Sequence, residues 1–244
     1  MHDYDKYSKI LTETVGLNAL PVGVKFYEEI PDEYLRAEDH RFCQTVMRAR
    51  KGETLLLTAE DITCPAAAAA LGFKPLPQKL EDGTMLCGYG IFEDPESGIN
   101  VMKQMPRIEQ GRYKAVLAKP LKDFDETPDV VVFEDTAENL MWIALAYLND
   151  KGGRLEFSTS ILQAVCVDSV VLPHLKQDIN MSFGCYGCRD ATDAKPNEAL
   201  LGFPGNKLNM VVDKLQYLDK QAISRSRAKN VYKSFSKRMT NLKH

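Results

Sequence analysis

Landmarks of the chain recur about one hundred residues further on, and this recurrence limits the fold more than any single motif. Gly52 and Gly153 stand 101 apart, Cys64 and Cys166 102, Cys87 and Cys185 98, and Pro106 and Pro204 98. Phe26 and Phe133 differ by 107, which places an insertion of about six residues in the first loop of the first half. The intervening segments follow one order. PVGVKFYE (21–28) has the alternation of a strand, RFCQTVMRARKGE the spacing of a helix ended at Gly52, and TLLLTAED that of a second strand. ITCPAAAAALGF then reads as a short helix with Cys64 at its mouth, Pro65 in its first turn and Gly72 at its end. LCGYGIF (86–92) reads as extended.

From residue 128 the order returns. PDVVVFED is a strand, and AENLMWIALAYLND a helix with Asp135 and Glu138 placed as a capping box and Gly152–Gly153 beyond it. RLEFSTS is a strand, QAVCVDSVVLP carries a cysteine, and MSFGCYGCR stands where LCGYGIF stood. The expectation is an α/β fold, with α+β as the alternative. Two similar halves, 20–120 and 128–218, would form one compact unit about a pseudo-twofold axis, pairing Cys64 with Cys166 and Cys87 with Cys185. Residues 1–19 supply a helix stopped at Gly16, and 219–244 a basic helix or tail whose Ile223, Val231, Phe235 and Met239 could dock on the body.

Composition narrows the class. With 31 basic and 34 acidic residues, the balance lacks the basic excess of a general nucleic-acid binder. The polar start MHDYDKYSKILTETVG is not that of a secretory signal, and no apolar run is long enough to span a membrane. The expected location is cytoplasmic, where the six cysteines serve as free thiols or metal ligands rather than disulfides. No phosphate loop, nucleophile elbow or H-E-x-x-H motif is present. Trp142 and Met141 read as core.

Chemistry centres on the thiols. A cysteine at a helix start is favoured as thiolate by the backbone N–H groups and the helix dipole, which singles out Cys64. In C-Y-G-C, a turn freed by Gly184 and Gly187 can aim Cys185 and Cys188 at one ion. The ligand candidates are Cys64, Cys166, Cys185 and Cys188, with Cys87 and Cys43 in reserve. Many thiols and few imidazoles, His40 and His174 at most, favour an iron–sulfur cluster, with zinc as the alternative. Arg189, Arg48 and Tyr186 are candidates for holding a small anionic molecule between the halves, and Arg50 lies on the same helix as Arg48.

Three readings stay open. The first is a metal–thiolate protein, an enzyme if an exposed cluster edge does reductive or Lewis-acid chemistry on that molecule. The second is a non-catalytic binding or regulatory module whose cleft is lined by Cys64, Tyr89, Tyr186 and Arg189. The third is a dithiol redox protein, although Arg-Asp-Ala-Thr-Asp after Cys188 reads as turn rather than the helix such a pair needs. Partners beyond the ligand would be limited to a second copy of the chain.

PVGVKF, R-F-C…R-A-R-K-G-E…D-I-T-C-P-A-A-A-A-A-L-G, P-D-V-V-V-F, C-Y-G-C-R and L-L-G-F-P-G together resemble the DUF169 family over about residues 17–218. The resemblance implies a conserved domain common in anaerobic prokaryotes and brings no activity with it. It implies that Cys64, Cys185 and Arg189 are typical of the family, and that the place of Cys188 more often holds a polar or small residue.

Overall fold

A computed structural model describes residues 3–229 and 231. The first helix, α1 (Tyr4–Val15), is amphipathic: Tyr4, Ser8, Leu11 and Val15 face inward. Asp3 caps its first turn by accepting from the Lys6 N–H at 3.0 Å, and Gly16 ends it with φ +78°. Then follow β1 (Val22–Tyr27), α2 (Phe42–Ala49), β2 (Leu55–Thr58) and α3 (Pro65–Ala70). A helical insert comes next, α4 (Gln78–Glu81), α5 (Thr84–Gly88) and α6 (Pro95–Gln104), before β3 (Ala115–Pro120).

The remainder begins with β4 (Val130–Thr136) and α7 (Ala137–Leu148). A π-helix (Ala164–Val171) runs on into α8 (Leu172–Lys176), and β5 (Asn180–Ser182), α9 (Tyr186–Ala191), β6 (Glu198–Pro204) and α10 (Leu208–Leu218) follow. A second π-turn (Asp219–Ile223) and α11 (Ser224–Arg227) close the described chain.

All six strands join one sheet in the order β2-β3-β1-β4-β6-β5, every neighbouring pair antiparallel. The class is therefore α+β, since the antiparallel ladder excludes the parallel strands of an α/β fold. The order reads alike from both edges: second, third, first strand, then first, third, second. The seam pairs Val22 with Val132, Gly23 with Val131 and Val24 with Val130, so a local dyad passes through Gly23 and Val131. The halves thus share one sheet rather than facing each other as separate units.

Period-two alternation sends residues to two cores. Val22, Val24, Leu57, Val116, Val130, Val132 and Leu200 pack under α2, α3, the π-helix and the insert. Val131, Phe133, Leu201 and Phe203 pack under α1, α7 and α10, whose Leu208, Val211, Val212, Leu215 and Leu218 form its buried stripe. The π-helix lies directly on β6. A Cβ at Gly202 would stand 1.8 Å from the Ser169 carbonyl oxygen, so only glycine permits that approach.

Several expectations need correction. RLEFSTS forms no strand; Asn180 of β5 bonds the Ser158 N–H at 2.8 Å and the Ser158 carbonyl at 2.9 Å through its side chain, which replaces a ladder. LCGYGIF begins within the last turn of α5 and is not extended, because Leu86 anchors that turn in the insert. The cap of α7 is Thr136, which accepts from Asn139 N–H. Asp135 is instead buried, receiving the Asn18 N–H and both the Asn18 and Asn139 amides at 2.7 Å. Met141 is exposed, whereas Trp142 is core. Ile223 is buried as expected and Val231 is exposed; Phe235 and Met239 lie outside the described residues. No helix among the described residues is long and apolar enough to cross a membrane.

Candidate functional site

Five thiols reach the first core from four elements. Cys43 follows Phe42, which is fully buried and pins the start of α2. Cys64 is the N-cap of α3, held extended before Pro65. Cys166 sits in the first turn of the π-helix, a wound segment of the kind often found at functional sites. Cys185 is the N-cap of α9 and Cys188 its third residue. Their N–H groups cross over: Cys185 N donates to Cys188 Sγ at 3.1 Å, and Cys188 N to Cys185 Sγ at 3.3 Å. Polar clamps fix α2 against α9, since Arg41 donates to the Gly187 carbonyl at 2.9 Å and Gln44 to that of Ala191 at 3.2 Å.

These thiols feel one another. Burial pushes Cys43 up to about 12, and negative charge on Cys185 or Cys64 would push it further. Burial holds Cys166 well above the ordinary thiol value, reinforced by Cys64, Cys185 and Cys43. Cys185 moves the other way, down to about 6, because the Cys188 thiol donates to it and the Ala164 and Cys188 N–H groups add to that against burial. The same bond and burial hold Cys188 high. The balance favours the thiolate at Cys185 and the thiol at Cys43, Cys166 and Cys188.

Position in the fold revises the expected pairing. Cys43 and Cys166 lie on the helices that lead into β2 and β5, and Cys64 and Cys185 cap the helices that follow those strands. By place in the strand order, Cys43 therefore matches Cys166 and Cys64 matches Cys185. Cys87 lies on α5 in the insert and is not among the residues packed on this core. Among the described residues, no group of three His, Cys, Asp or Glu side chains converges closely enough for a single ion. His40 contacts Arg48 at 2.8 Å, and His174 contacts Tyr113 at 3.2 Å and packs on Phe26, so neither imidazole joins the thiols.

A cavity of about 460 Å³ opens beside Cys64, roofed by the insert. Leu80, Met85, Leu86, Ile91, Met102 and Leu162 give it an apolar wall. Arg41, Asp190, Tyr89 and Tyr186 also line it, the two tyrosines 57% and 62% exposed.

The expected arginines lie elsewhere. Arg189 donates to the carbonyls of Lys195, Phe183 and Glu198, knitting the loop between α9 and β6. Gly184, at φ +98°, lets that guanidinium pack 3.0 Å from where a Cβ would be. Arg48 is paired with Glu53. Arg50 is buried between Glu198 at 3.1 Å and Glu134 at 3.6 Å. Arg41 is the cation at the cavity. Its sequence signal is its place in R-F-C, one residue before the anchor of α2, a weaker mark than the helical spacing of the segment bearing Arg48 and Arg50. After Cys188 the helix α9 runs on only to Ala191 before the chain becomes extended at Thr192, so the segment is helical at first but lacks the long helix of a redox dithiol.

A curated relative, an uncharacterised protein of Methanocaldococcus jannaschii, is 32% identical over 216 residues, spanning 86% of this chain and 92% of its own length. No solved structure matches the chain. The DUF169 family, described as "Uncharacterised ArCR", matches residues 10–214 and so takes in the whole sheet and every thiol of the cluster. The chain belongs to the DUF169 family.

Proposed function

We propose that the chain carries a polynuclear metal–thiolate centre, an iron–sulfur cluster in first place, on Cys43, Cys64, Cys166 and Cys185, beside a small-molecule cavity. The observation that carries this reading is the convergence of four dyad-related thiols from four separate elements. A site built only of sulfur suits iron clusters. Four thiols packed on one core with neither His40 nor His174 among them suit an iron cluster better than a Cys/His zinc site. Buried neutral thiols such as Cys43 and Cys166 ionise when a cation shares the site. Bound there, such a centre supplies electron transfer or a Lewis acid. Cys188 has no counterpart in the first half; its N–H and thiol bond Cys185 and its sulfur accepts the Cys185 N–H, so it supports that ligand rather than binding the metal itself.

The same dyad supports an origin of residues 20–120 and 128–218 by internal duplication. Thiols held open in this way belong in a reducing, cytoplasmic setting.

Anaerobic purification or reconstitution tests the reading. Brown protein with stoichiometric iron and sulfide is expected, lost in Cys166→Ser and Cys43→Ser and kept in Cys87→Ala and Cys188→Ala. Colourless protein that takes up no iron under reconstitution refutes it.

A second reading has its own observation. Cys185 at the N-cap, thiolate near neutral pH beside a protonated Cys188, is the layout of an exchanging dithiol. Iron-free protein with a midpoint potential abolished by Cys188→Ala favours it over the first.

A further inference from the structure

The cavity beside Cys64 has a chemistry of its own. Its wall is thioether and aliphatic, adaptable in shape and suited to an apolar body. Its size lies in the range of clefts that enclose small organic ligands. Tyr89 reaches it from the insert and Tyr186 from α9, both exposed and therefore open to contact from a ring passing between them.

At the mouth stands Arg41. Its Nη1 donates to the Gly187 carbonyl at 2.9 Å and meets Asp190 at 3.5 Å. Its Nε and Nη2 make no hydrogen bond among the described residues, so both nitrogens keep donors available to a ligand in the cavity that Arg41 lines. A planar fork with two free donors matches a carboxylate or another oxyanion.

We infer that this cavity binds a flat, largely apolar molecule bearing one anionic group, with the anion on Arg41, the body against Met85, Met102 and Leu162, and one edge toward Cys64. This rests on the proposed function only for what happens after binding; the binding itself requires no metal. The expected class is an aromatic monocarboxylate rather than a sugar, a polyphosphate or a cation.

Calorimetric titration with 2-naphthoate and its uncharged counterpart 2-naphthol tests this on the full chain, both as purified anaerobically and after iron removal. Wild type is expected to bind 2-naphthoate with a negative heat-capacity change, the mark of apolar burial. Arg41→Gln should weaken 2-naphthoate roughly tenfold or more and leave 2-naphthol unchanged. Ala66→Trp, which fills the cavity beside Cys64, should remove both.

No binding of 2-naphthoate by folded wild type at millimolar concentration overturns the inference, as does equal binding by Ala66→Trp. Binding that survives in protein that never takes up iron upholds the cavity and refutes the cluster. Iron uptake with no binding does the reverse.

Discussion

Replacing Gly202 with alanine should cost more than any surface change, and the reason is geometric. The new Cβ would lie 1.8 Å from the Ser169 carbonyl oxygen, 2.7 Å from its carbon and 3.1 Å from its Cα. All three are backbone atoms of the π-helix, so no side chain can swing aside. Ser169 is fully buried, and its hydroxyl already donates to the Ala164 carbonyl at 2.8 Å. The helix must therefore retreat from β6 by well over an ångström, taking Cys166 with it. Overpacking of this kind costs about 3 kcal/mol. For a chain of this size that is a fall in Tm of roughly 6–12 °C.

Gly88→Ala is the matched control, since nothing stands within 4 Å of its added Cβ and its φ is not positive. Relieving a helical glycine there should stabilise by about 0.5–1 kcal/mol. Thermal melts followed by circular dichroism read both, and iron content reads the displacement of Cys166. If Gly202→Ala melts within a degree or two of wild type, the close seating of the π-helix on the sheet is wrong.

Arg50→Met should destabilise by about 3–5 kcal/mol, because it leaves Glu134 and Glu198 buried without their cation; urea unfolding measures this, and adding Glu134→Gln and Glu198→Gln should restore much of the loss. Burial raises Glu134 to about 7 despite Arg50. A carboxyl raised in the folded state stabilises most below its ordinary value near 4.5 and loses that contribution as pH climbs to about 7. Wild type should accordingly lose stability relative to Glu134→Gln across that window, by up to about 3 kcal/mol; parallel pH profiles of the two would contradict the assignment. Asp135→Ala should cost about 3 kcal/mol by removing the acceptor for Asn18 and Asn139, read as a lower urea midpoint.

The elements with strong local grammar were legible before any coordinates. Gly16 in the left-handed region, Pro65 at a first helical position and the Val-rich runs of β1 and β4 each act through a single residue or a short period. The failures share a cause. RLEFSTS has strand alternation but no neighbour to pair with, while β5, only Asn-Met-Ser, has no strand signature and is placed by β6. The similar letters of LCGYGIF and MSFGCYGCR concealed different elements, so the spacing of Cys87 and Cys185 does not follow the strand order. Cysteine identity was readable, whereas correspondence needed the strand order. The cavity was out of reach because its roof is an insert of short helices whose apolar faces make sense only when closed over Cys64.

The outer margins of the sheet carry a further consequence. β2 is flanked by residues 35–37, with the Ala37 N–H on the Leu56 carbonyl at 2.8 Å and the Leu56 N–H on the Leu35 carbonyl at 2.9 Å. At the opposite margin Asn180 ties Ser158 alongside β5. The β2 border is thus occupied by residues 35–37, and at β5, only three residues long, a side-chain tie stands beside the strand, both devices that blunt an edge as a template for a foreign strand. Substitutions that loosen residues 35–37 or 158 are where ribbon-like aggregation should begin.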